Sequence, residues 1–132
     1  MFFLNILIDM SKHPLNLVLR FLLEVTALVS IGYWGWHQFS GTLSFVVAFL
    51  FPVLAAVVWG VFAVRNDPTR SGKTVINTPG YLRLVLELAV FGFGSWGLYD
   101  SGVKDFSVIL LLLVVVHYAI SYDRVFWLLK QK

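Results

Sequence analysis

The chain has 132 residues, of which 59% are hydrophobic and 13% charged, with a mean hydropathy of +0.84. A soluble domain carries about 25% charged residues, so this composition excludes a water-soluble globule and leaves one membrane domain. The net charge of +3 does not point to nucleic acid, because the basic residues sit at the ends of apolar segments, and the absence of cysteine excludes a disulfide framework or a thiolate metal site.

Residues 1–14 read as an N-terminal extension. Its first ten, MFFLNILIDM, are apolar but too short to span, and they lack the basic start and small-residue cleavage site of a signal peptide. They either lie in the membrane interface or precede a true start at Met10. Lys12-His13-Pro14 marks a boundary, with proline suited to a first helical turn.

The first span is expected over residues 15–36, since about 20 residues cross the hydrocarbon. It closes on Gly32-Tyr33-Trp34-Gly35-Trp36, an aromatic belt. A short polar turn makes the second span, 42–64, antiparallel. Pro52 near its centre should kink it or free a carbonyl. Ala56 and Gly60 form a small-xxx-small pair that permits close helix approach, and Trp59 is placed toward the far interface. Residues 65–79 form a polar loop. Ser71-Gly72-Lys73-Thr74 resembles the tail of a phosphate-binding loop, but Asp67 stands where the motif needs glycine, so nucleotide binding is not expected. The third span covers 80–99 and is rich in small residues. The fourth covers 106–127, and 130–132 are a cytoplasmic tail. The four-span domain therefore occupies 15–129.

Two stretches organise this domain. Leu19-Arg20-Phe21-Leu22-Leu23-Glu24 and Leu82-Arg83-Leu84-Val85-Leu86-Glu87 each place arginine and glutamate four apart, on one helical face, and they recur after 63 residues. The fold class is thus an all-α membrane protein, four transmembrane helices built as two repeated hairpins related by an axis along the membrane normal. Lys12, Arg65, Arg70, Lys73, Arg124, Lys130 and Lys132 fall on one side and Lys104 on the other. The positive-inside rule then puts both termini and the central loop in the cytoplasm.

Ionisable groups inside a span are costly and need partners. From the helical rise, Glu24 lies roughly 14 Å deep, Glu87 about 10 Å and His117 about 12 Å, so three groups share one level. Arg20, Arg83 and Arg124 lie nearer the cytoplasm. The candidate polar cluster is Arg20, Glu24, Arg83, Glu87, His117 and Arg124. Glu87 pairs either with Arg83 in its own helix or with Arg20 across the pseudo-twofold. The latter is favoured, because arginine before glutamate is the weaker order within one helix.

The run Leu-x-Leu-x-Leu-Arg-Phe-Leu-Leu-Glu, the Gly32–Trp36 end, Trp59-Gly60-Val61-Phe62 and the second Leu-Arg-x-x-x-Glu resemble the YrdB-like family, small bacterial integral membrane proteins built on a domain of unknown function. The resemblance covers residues 15–127. It implies a bacterial plasma membrane and four helices, and it implies no activity.

The expected function is that of a small integral membrane protein with a structural or accessory role, its helices held in register by the Arg/Glu cluster. The alternative is a proton-coupled small-solute transporter or channel-like oligomer, with mid-depth carboxylates and a histidine as relay. A metal held by Glu24, Glu87 and His117 lacks a second histidine or a helix-encoded ligand pair, so no metal and no cofactor is expected. No nucleophile stands with its base, so no enzyme is expected. The expected partners are the lipid bilayer and a second copy of the chain, with no nucleic acid.

Overall fold

A computed structural model describes residues 10–70 and 73–132. The expected extension 1–14 therefore enters only from Met10, and Ser71-Gly72 of the polar loop also lie outside the described residues. A single 3-10 turn, Met10–Lys12, precedes helix α1, Pro14–Gln38. His13 caps that helix, its Nδ1 accepting from the Leu15 amide at 3.2 Å, with Pro14 in the first turn where no amide is missed. The turn is docked rather than loose. Ser11 is buried and donates to Asp123 from both its amide and its hydroxyl.

Helix α2 is Thr42–Val61. It stops short of the expected residue 64 because Phe62–Ala63 (β1) pairs in parallel with Ile76–Asn77 (β2). The polar loop between them is therefore clasped at its base. Pro52 removes the amide that would bond the Ala48 carbonyl. Gly32 of α1 lies against that carbonyl: a Cβ built on it would come within 2.8 Å of the oxygen.

Helix α3 is Gly80–Asp100, α4 is Lys104–Ile120 and α5 is Tyr122–Lys130. The fourth span expected over 106–127 is thus two helices, bent by 71° at Ser121. The cause lies in composition: α4 is apolar, whereas α5 opens on Asp123 and Arg124. Asp123 is held by Ser11, and Arg124 is buried. The bend carries both to their partners. Helices α1, α2 and α3 are long and apolar enough to cross a membrane, and the bent pair α4–α5 makes a fourth if it counts as one span.

Helix α1 is the centre of the packing, in contact with α2, α3 and α4. Leu23 and Ala27 of α1 meet Phe91 and Leu98 of α3 and Leu110 and Val114 of α4 in the core. Helices α1 and α3 run in the same direction. A Cβ on Gly94 would crowd Ala27, and one on Gly97 would come within 3.0 Å of Trp34 and 3.7 Å of the Ser30 carbonyl. Ser95 and Ser107 exchange hydrogen bonds between α3 and α4, each hydroxyl reaching the other's carbonyl at 3.0 and 2.6 Å. Trp34 stacks among Phe51, Phe93 and Trp96, and its indole donates to Asp100 at 2.9 Å.

Helix α2 is joined to the bundle chiefly through α1 and barely touches α3. The close approach expected at Ala56 and Gly60 is not made: a Cβ on Gly60 would meet nothing within 4 Å. The small residues that are used are Gly32 and Gly35, which bring α1 against α2 near Ala48 and Val47. Phe45, Phe49, Val53 and Val57 leave a broad apolar face of α2 exposed.

Candidate functional site

Four helices and the loop converge on Glu87. Helix α1 brings Arg20 and Glu24, α3 brings Arg83 and Glu87, α4 brings Tyr118, α5 brings Arg124, and the loop brings Asp67 and Thr69. Glu87 and Arg83 are wholly buried, at 0% exposure. A carboxylate withdrawn from water needs its lone pairs filled. Glu87 Oε1 accepts from the Tyr118 hydroxyl at 2.6 Å and from Arg124 Nη1 at 2.8 Å. Its Oε2 accepts from Arg83 Nε at 2.7 Å, Arg124 Nη2 at 2.7 Å and Arg20 Nη2 at 3.2 Å.

The two pairings considered for Glu87 thus coexist, and Arg124 adds a third. The helix register explains how. Arg20 and Glu87 are 67 residues apart, and the Ala27–Gly94 and Ser30–Gly97 contacts keep the same offset. The sequence frames recur after 63 residues. The spatial register is therefore one helical turn further on, which sets Arg20 beside Glu87 instead of beside Arg83.

Each arginine has a distinct job. Arg20 Nε holds Glu24 Oε1 at 3.0 Å and its Nη1 donates to Thr69 Oγ1 at 2.6 Å, so all three of its nitrogens are bonded. Arg83 donates to the carbonyls of Trp59 and Phe62, the latter at 2.6 Å, where α2 ends. Its Nη2 is buried without a hydrogen-bond partner among the described residues. The Trp59 ring lies 4.7 Å from the Arg83 guanidinium carbon and 5.7 Å from that of Arg20, and its face supplies negative potential to both. Arg124 forks between two carboxylates, bonding Asp67 Oδ2 at 2.7 Å as well as both oxygens of Glu87.

Asp67 is buried, although it belongs to the loop. Burial by itself would raise its carboxyl. The Arg124 hydrogen bonds and charge, with donors from Thr69, outweigh this and hold it below the ordinary carboxylate value. Arg20, Arg83 and Arg124 face Glu24, Glu87 and Asp67, so the cluster balances in charge.

His117 is directed elsewhere than expected. It is buried, but its Nδ1 pairs with Asn16 Oδ1 at 3.0 Å, and Asn16 donates to Ser121 at 2.7 Å. Among the described residues no three acidic, histidine or cysteine side chains gather as a metal site, so Glu24, Glu87 and His117 do not form one. Glu24 is the accessible member: its side chain is 26% exposed, and it borders a cleft with Thr69 and Arg70.

Sequence reasoning missed Asp67, Thr69, Trp59, Tyr118 and Asn16 as members of these networks. Tyr118 follows His117 directly, and a phenol near the C-terminal end of an apolar helix reads as an interfacial anchor. Nothing in the loop distinguishes Asp67 from a turn-forming aspartate.

Residues 18–115 match the family described as "Protein of unknown function (DUF2568)". The chain belongs to that family. It is 46% identical over 116 residues to "Uncharacterized protein YrdB" of Bacillus subtilis (strain 168), an alignment covering 88% of this chain and 94% of the relative. No solved structure matches. The family match runs from α1 into α4 and so contains Arg20, Glu24, Asp67, Arg83 and Glu87, while Tyr118 and Arg124 lie beyond it.

Proposed function

We propose that the chain is a multi-pass protein of a bacterial plasma membrane with a structural or accessory role, in which the Glu87 network fixes the packing of four spans. The observation that carries this reading is the complete enclosure of Glu87: both of its oxygens are filled by donors from four side chains. A carboxylate so bound is a fixed link between helices, not a group that takes up and releases protons during a cycle. Such networks specify arrangement more than they add stability. The reading needs no catalytic group and no cofactor. A second copy of the chain is the partner that best suits the exposed face of α2, and nothing in it suits nucleic acid.

In this reading the spans form two repeated hairpins, supported by the parallel run of α1 and α3. The unit covers residues 15–129 with a short tail after it, and both termini and the loop are cytoplasmic, supported by the distribution of lysine and arginine. Cysteines test the orientation. In intact cells Ser40→Cys and Asp105→Cys are expected to label with an impermeant thiol reagent, and Val75→Cys only after permeabilisation. The reverse pattern would invert the protein.

One observation favours the alternative of a proton-coupled transporter or channel-like oligomer: Glu24 reaches a cleft. Reconstituted vesicles separate the two. Those carrying the protein are expected to hold an imposed pH gradient as long as empty ones do. A leak that Glu24→Gln abolishes would replace the structural reading with the transport one.

A further inference from the structure

Three neighbouring cavities, each sharing lining residues with the next, form a path from the cleft toward the apolar level of the bundle. At its head is a polar cavity of about 340 Å³ bordered by Arg20, Glu24, Thr69 and Arg70. Glu24 and Trp59 also line a narrower neck of about 170 Å³, with Ala56 and Val90. Val90 in turn lines an open apolar groove of about 280 Å³ between α2 and α3, floored by Ile31 and widened by Ala55 and Ala89. From Arg20 to Ile31 the path follows α1 for about 16 Å. The groove exists because α2 and α3 barely touch and because alanines stand where larger residues would close it. A polar head joined to a long apolar slot has the form of a single amphiphile.

We propose that this path holds one phospholipid with an ammonium-bearing head of the phosphoethanolamine kind, its phosphate on Arg70, its ammonium on Glu24 and one acyl chain in the groove. The charges at the head select it. Arg20 is already committed, each of its nitrogens bonding Glu24, Thr69 or Glu87 and its charge met by two carboxylates. Thr69 is likewise engaged, accepting from Arg20 and donating to Asp67. Two groups remain. Among the described residues Arg70 makes one side-chain hydrogen bond, to the Gly60 carbonyl at 3.1 Å, which leaves donors for a phosphate. Among the described residues Glu24 has Oε1 bonded to Arg20 and no hydrogen bond on Oε2, and the residue borders the cleft. One cation and one carboxylate bordering the same cleft match a zwitterion. A purely anionic head would set its charge against Glu24 Oε2, and a choline head has no N–H to give it. The site requires the helices to lie in a bilayer, but it does not use the Glu87 contacts, so it stands or falls separately from the structural role of that network.

Native mass spectrometry of the detergent-purified protein tests this with three lipids of identical chains, bearing ethanolamine, glycerol or choline heads. The ethanolamine lipid is expected to bind about tenfold more tightly than the other two, as one charge-assisted hydrogen bond would give. Glu24→Gln should remove that preference while the chain still binds, and Arg70→Ala should weaken all three lipids, because each of them carries the phosphate. Ala89→Phe, which fills the groove, should weaken all three lipids. Arg70 lies at the rim, outside the Glu87 network, so Arg70→Ala remains informative where Glu24→Gln perturbs Arg20. Equal binding of the three lipids by the wild-type protein, tighter binding of the glycerol lipid, an ethanolamine preference that survives Glu24→Gln, or unchanged binding of all three lipids by Arg70→Ala would each overturn the proposal.

Discussion

Glu87→Leu is expected to be the most damaging single substitution in the protein. It leaves Arg20, Arg83 and Arg124 converging on an apolar side chain, with Glu24 and Asp67 the carboxylates left to them among the described residues. Removing one partner from a buried ion pair typically costs about 3–5 kcal/mol, whereas replacing both partners with apolar groups is often neutral. Three guanidiniums depend on this carboxylate, so the upper end of that range is expected, read as a lowered melting temperature in detergent and a poor folded yield. Glu24→Leu should cost much less, because that side chain is 26% exposed and is held by Arg20 alone.

The second-site pattern is also specified. Among the described residues Arg83 has no acidic partner other than Glu87, so Arg83→Leu should recover the most stability in the Glu87→Leu background. Arg124→Leu should recover less, since it strands Asp67. Wild-type stability in Glu87→Leu, or equal recovery by every arginine, would remove the network as the organiser of the bundle.

Gly80→Ala should be nearly as severe. A Cβ built on Gly80 would fall inside the backbone carbonyl of Leu128, and the Gly80 amide donates to the Gln131 carbonyl at 3.0 Å. The start of α3 and the end of α5 thus meet backbone to backbone, and no side-chain rotation can relieve the overlap. Helix α5 must move, and with it Arg124. Overpacking typically costs about 1–3 kcal/mol, and here the loosened Arg124 contacts add to it. The matching control is Gly60→Ala, where a Cβ meets nothing and the gain in helix propensity is about 1 kcal/mol. If both variants melt with the wild type, α5 does not sit on α3 as described.

The apolar helices were legible because runs long and apolar enough to cross a membrane leave a composition signal of their own, and the Arg/Glu frames because charges inside apolar runs stand out. What escaped was tertiary. Ser121 is no breaker by type, and the bend there follows from where Asp123 and Arg124 find partners. Those partners are far off in sequence: Ser11 is 112 residues from Asp123, and Asp67 is 57 from Arg124. Trp59 near a span end reads as an interfacial anchor, but its ring lies against two guanidiniums. The choice between Arg20 and Arg83 as partner of Glu87 could not be made from spacing, since it depends on a one-turn shift between α1 and α3.

The carbonyls at the end of α2 are closed by a side chain that comes 24 residues after Trp59 and 21 after Phe62. On the ribosome, therefore, the first two helices are made before the group that finishes them. At that stage Arg20 has Glu24 but not Glu87, and the end of α2 is open. Synthesis of α3 supplies Arg83 and Glu87 together, closing α2 and engaging Arg20 at once. Asp67 still waits for Arg124, near the end of the chain. The order of translation is thus an order of charge neutralisation, and a nascent chain arrested before residue 124 holds Glu87 without its forked donor and the loop without its anchor.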